Sequence, residues 1–97
     1  MTKEYYLEIL NKLKPEDIRK IYFGRDRYCR CGCGGKYYSP EDEMFEKMLK
    51  KAIRKANKSD SEISNGSHHI NISYDDGTQS GKAYTIYIFN RIPVEED

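Results

Sequence analysis

The sequence predicts an α+β domain: a small antiparallel sheet of two hairpins packed against two helices, with a metal-stapled glycine loop. Three observations predict it. Apolar residues recur at helical spacing over two segments, near residues 5–13 and 44–56. Short runs rich in Ile, Tyr and Thr follow each of them, bounded by turn formers. Between the two halves lies Cys29-Arg30-Cys31-Gly32-Cys33-Gly34-Gly35, three thiols alternating over five residues.

Taken in order, Thr2 caps a first helix whose stripe is Tyr5, Tyr6, Ile9, Leu10 and Leu13. Lys12 and Lys14 sit at its negative end. Pro15 stops it or begins a new turn through Ile18, because proline is tolerated only in a first helical turn. Ile21-Tyr22-Phe23 reads as a short strand, Gly24–Arg27 as a turn and Tyr28–Cys31 as the return strand. Ser39 as N-cap, Pro40 at the first position and the acidic run Glu41-Asp42-Glu43 announce a second helix. Met44, Phe45, Met48, Leu49, Ala52, Ile53 and Ala56 give it one wide apolar face. Lys47, Lys50, Lys51, Arg54, Lys55 and Lys58 make the rest basic, either a solvated face or a partner-docking one. Ser59–Ser67 is polar and reads as a loop. Ile70, Ile72 and Tyr74 alternate with Asn71 and Ser73 as a strand, and Asp75–Gly81 is dense in turn formers. In Ala83–Ile92, Tyr84, Ile86 and Ile88 share one face, and Tyr87 and Phe89 the other. Apolar character on both faces marks a central strand.

The 97 residues make a single domain, 1–97, with a modest core. The nine tyrosines suit core edges or a binding face. No apolar run approaches the ~20 residues that span a bilayer, and residues 1–6 hold no apolar leader. A reducing cytosol is the expected compartment, where an odd count of three cysteines argues against a disulfide framework. Net charge is +1, unevenly spread: fifteen Lys/Arg face nine Asp/Glu over residues 1–58, and two face seven over 59–97. That asymmetry allows a basic face for nucleic acid or an acidic partner, and equally an attraction between the two halves.

In an extended strand Cys29 and Cys33 would lie about 13 Å apart, too far for one zinc with bonds of about 2.3 Å. A turn at Gly32, Gly34 and Gly35 must therefore gather the thiolates. Zinc in a structural site takes four ligands, and Cys₃His is a common set. His69 and His68 are the two histidines, and adjacent strand residues point to opposite faces. One of them can close the site, tying the C-terminal hairpin to the loop, a staple that matters to a thin core. Zinc spacing is usually two to four residues between cysteines and here it is one, so free thiols in a tight turn remain an alternative, as do an iron–sulfur cluster and copper. Gly32–Lys36 can also form an anion-binding amide nest, though it lacks the full phosphate-loop pattern. A Cys–His nucleophile pair is a third use of the same residues. No constellation names a reaction, and the expectation is a protein that is not an enzyme.

The stretch Ile21-Tyr22-Phe23-Gly24 through Cys29-Arg30-Cys31-Gly32-Cys33-Gly34-Gly35-Lys36-Tyr37 resembles a group of small phage-encoded proteins. They share Tyr-x-Gly, then Cys-x-Cys-Gly-Cys-x-Gly and an aromatic, and end in a strand similar to Ala83–Ile88. The resemblance covers about a third of the chain. It implies a phage or prophage accessory protein in the cytoplasm of a bacterial host, similar to type II anti-CRISPR inhibitors that bind an RNA-guided DNA nuclease of the Cas9 type. Two other functions stay open. One is a nucleic-acid-binding zinc module using Arg25, Arg27, Arg30, Lys36 and nearby tyrosines; the other is a nucleotide sponge built on the glycine loop.

Overall fold

The computed structural model describes residues 3–25, 35–75, 77 and 81–92. Among them the elements run α1 (Lys3–Lys12), a 3₁₀ turn (Pro15–Asp17), β1 (Ile18–Arg25), β2 (Lys36–Tyr38), α2 (Phe45–Ala56), β3 (Ser61–Asn65), β4 (His69–Tyr74) and β5 (Lys82–Ile88). The five strands form one antiparallel sheet in the order β2-β1-β5-β4-β3. The α+β class, the two helices and the hairpin β4–β5 are as expected. β5 is the central strand.

Both helices bury their stripes against one face of the sheet. Leu10 from α1 joins Phe45, Met48, Leu49, Ala52 and Ala56 from α2 over Ile21, Ile70, Ile72, Tyr84, Ile86 and Ile88. Burying a side chain of this size contributes about 1.5–3 kcal/mol, so this single layer is the main source of stability. The acidic end of α2 is not its first turn. Asp42 N–H donates to the Ser39 carbonyl (2.9 Å), and the Asp42 carboxylate accepts from Met44 N–H (2.9 Å). Residues 40–44 are turns, and the helix starts at Phe45. The expectation that Ser39 caps a helix beginning at Pro40 is therefore corrected: Met44 is the residue before the helix, and the Asp42 carboxylate holds the turn that leads into it. The Thr2 cap lies outside the described residues.

Two further expectations change. The polar run 59–67 is not all loop, because Ser61–Asn65 pairs along β4 with Ile63 opposite Ile72. Its lone Ile63 and four polar residues suit an edge strand, where charged and polar side chains discourage pairing with another chain. β1 is also longer than Ile21–Phe23 and replaces the turn expected at Gly24, running on to Arg25. The strand that pairs with it is Lys36–Tyr38, while the return strand expected at Tyr28–Cys31 lies outside the described residues.

An irregularity in β1 decides what reaches each face. Ile18 is paired with Ile88 but Lys20 with Tyr87, so Arg19 is an extra residue, a β-bulge. In a regular strand Ile18 and Lys20 would share a face. The bulge lets Ile18 and Ile21 both enter the core, each fully buried, and turns Lys20 to the opposite face.

Among the described residues no helix is long and apolar enough to cross a membrane.

Candidate functional site

The sheet face away from the helices carries the second organised group of side chains. The registers set it out in three rows across the strands. Lys20, Tyr87 and His69 form the first. Tyr37, Tyr22, Thr85, Asn71 and Ser64 form the second. Gly24, Ala83, Ser73 and Glu62 form the third. One half of the face is therefore aromatic and cationic, and the other is small and polar.

The aromatic half is a continuous cluster. Tyr22 and Tyr37 ring centroids are 5.1 Å apart, Tyr37 and Tyr87 6.4 Å, and His69 and Tyr87 5.8 Å. The Lys20 Nζ sits 4.5 Å from the Tyr37 ring centroid and 5.0 Å from that of Tyr87. A cation over two ring faces is held by their quadrupoles, and the bulge at Arg19 is what delivers it. Tyr37 is 53% exposed and Phe89, two residues beyond Tyr87, 61%. Burial raises the Tyr87 phenol above its ordinary pKa, and the neighbouring Tyr37 and Tyr22 phenols add to the rise.

Two glycines fit rings closely. A Cβ at Gly35 would stand 2.3 Å from Tyr22 Cε1 and Oη, and one at Gly66 would stand 2.3 Å from His69 Cε1. The Tyr22 ring thus lies on bare backbone where β2 begins. In the centre, the Thr85 hydroxyl donates to Asn71 Oδ1 at 2.9 Å.

The expected metal ligands are placed only in part. Cys29, Cys31 and Cys33 lie outside the described residues, as do Arg27 and Arg30. His69 is half-buried in the first row, and neither of its ring nitrogens has a hydrogen-bond partner among the described residues. His68 is exposed, with Nδ1 3.0 Å from the Ser67 hydroxyl. No cluster of three or more His, Cys, Asp or Glu among the described residues could hold a metal ion. Lys36, expected to serve nucleic acid, has its ammonium 5.0 Å from the Tyr38 ring centroid, on the helix-facing side.

Sequence reasoning missed Lys20 and did not join Tyr22, Tyr37 and Tyr87 into one surface. Alternation in β1 and β5 carried the tyrosine signal; the lysine needed the bulge. The basic run on α2 is exposed at Lys47, Lys50, Lys51, Arg54 and Lys58. Lys55 instead lies 4.1 Å over the Tyr74 ring. No family model, curated protein or solved structure matches the chain.

Proposed function

We propose that this chain is a non-enzymatic binding protein of phage type that inhibits a host RNA-guided DNA nuclease by surface contact. The carrying observation is the Tyr37–Tyr22–Tyr87 face with Lys20 set into it. Aromatic side chains with a cation among them give large contact area at low conformational cost, the makeup of binding hot spots. The nuclease as partner is supported by the resemblance of the Cys29–Gly35 segment to small phage-encoded proteins. Its place of action is then the bacterial cytoplasm.

In this reading Cys29, Cys31, Cys33 and His69 hold a structural zinc. The His69 ring, which has no hydrogen-bond partner among the described residues, is favoured as the fourth ligand over His68, whose Nδ1 is engaged by Ser67. The zinc would supply a cross-link and no chemistry.

Cleavage by the purified nuclease, with and without the protein in excess, tests the first claim, and full cleavage at saturation overturns it. Metal analysis tests the second. About one zinc per chain is expected, lost in Cys31→Ser and His69→Ala and kept in His68→Ala. A folded, metal-free protein overturns it.

A further inference from the structure

The occupant of the aromatic sheet face follows from its chemistry. We infer that Tyr37, Tyr22, Tyr87 and Lys20 bind single-stranded nucleic acid, with a base stacked on Tyr37 and a phosphate on the Lys20 ammonium. The inference rests on the reading of this face as the contact surface, and names the component of the ribonucleoprotein that it touches.

Four observations carry it. First, the Tyr22 and Tyr37 rings on the adjacent strands β1 and β2 are 5.1 Å apart, and those of Tyr37 and Tyr87, on the strands either side of β1, are 6.4 Å apart, a platform on which successive unpaired bases can stack. Bases inside a duplex cannot use such a surface, because their faces are already covered; single strands can. Second, Tyr37 lies on the short edge strand β2 and is 53% exposed, so its ring is open to a ligand. Third, the charge is right for a polyanion. Lys20 stands inside the cluster, and the one carboxylate on the face among the described residues is Glu62, in the far corner on the opposite edge strand. Fourth, the stacking half is bordered by Asn71, Ser64 and Ser73, whose amide and hydroxyl groups can meet base edges. An apolar protein epitope would leave these polar groups and the ammonium poorly matched.

The nucleic acid comes within reach in an RNA-guided nuclease, which exposes a guide and displaces a DNA strand. A sequence-tolerant stacking face suits either strand.

The test uses fluorescence anisotropy with labelled single-stranded oligodeoxynucleotide and oligoribonucleotide at low salt, with a duplex of the same sequence as control. Single strands should bind and the duplex should bind at least tenfold more weakly. Tyr37→Ala should weaken binding about tenfold, since one stacked base is worth roughly 1–3 kcal/mol. Tyr37→Phe, which keeps the ring, should restore most of it. Lys20→Gln should lower the slope of log affinity against log salt by about 0.7, the value for one phosphate on a single strand. A thermal melt of each variant shows that the fold is kept. Absence of binding at low salt overturns the inference, as does binding that Tyr37→Ala leaves unchanged, which would move it to the basic face of α2. If the nuclease protein stripped of nucleic acid still binds through Tyr37, the inference falls and the inhibitor reading stands. If oligonucleotides bind but cleavage is untouched, the reverse holds.

Discussion

Tyr87 and Tyr84 stand back to back on β5, one among phenols and the other in the core, and both hold their protons more tightly than a free tyrosine. For Tyr84 burial is the main cause, with Tyr38 adding to it and a hydrogen bond with Tyr74 working against it. For Tyr87 burial again leads, followed by the charge and hydrogen bond of Tyr37 and by Tyr22. Their folded pKa values exceed the unfolded one near 10, so the stability they contribute is complete below pH ~10. Above that pH the unfolded chain ionises first and stability declines through the folded pKa values. Urea unfolding across an alkaline series should show this fall, and Tyr87→Phe should make it shallower. An unchanged slope in that variant would refute the assignment. Gly35→Ala acts on the same group from the side. The Tyr22 ring is the tip of a side chain and can swing away, so stability should shift by under about 1 kcal/mol. Oligonucleotide binding should nonetheless drop, because Tyr22 leaves its place beside Tyr37.

At the scale of elements, the start of α2 separates two kinds of signal. Ser39-Pro40 followed by three acids resembles a helix start, yet the backbone of 40–44 forms turns and Asp42 satisfies Met44 N–H. Asp42→Ala should cost about 1 kcal/mol, the usual net worth of one hydrogen bond, while Ser39→Ala should cost little. Equal losses in a denaturant titration would reinstate Ser39 as the cap. The apolar stripe of α2 was legible because its burial requirement leaves no other spacing. β4 and the core face of β5 were legible for the same reason, through alternation. β3 was not, since an edge strand with one buried apolar neighbour needs only Ile63 to find its register. Of the candidate site, the tyrosines of β1 and β5 could be read from alternation, as could His69. Lys20 could not, because an inserted residue changes which face follows and leaves no mark in local composition.

The whole molecule is held by ties between residues far apart in the chain. The Lys3 ammonium donates to the Lys58 carbonyl and, at 3.1 and 2.9 Å, to the carbonyl and hydroxyl of Ser61, closing the N-terminal helix onto the end of α2. Ser61 is buried there, and its hydroxyl also donates to the Lys58 carbonyl (2.9 Å). The Tyr6 hydroxyl donates to Asn65 Oδ1 at 2.7 Å. Ser61→Ala should destabilise by about 1–3 kcal/mol, as expected when a buried hydrogen-bonding partner is removed, measured by the denaturation midpoint. Loss of less than about 0.5 kcal/mol would show that the ammonium finds other acceptors.

The position of β5 has one further consequence. Among the described residues it is the last strand in sequence, and it lies in the middle of the sheet, with β2-β1 on one side and β4-β3 on the other. Cut the chain in the connection before Lys82 and the larger piece holds two half-sheets with a vacant slot between them. A separate peptide carrying Lys82–Ile92 has the complementary edges on both sides and the apolar residues Tyr84, Ile86, Ile88 and Ile92 to fill the core. The protein is thereby divisible into a receptor and a plug, and mixing the two should regenerate the folded state, a split pair that reports when its halves meet.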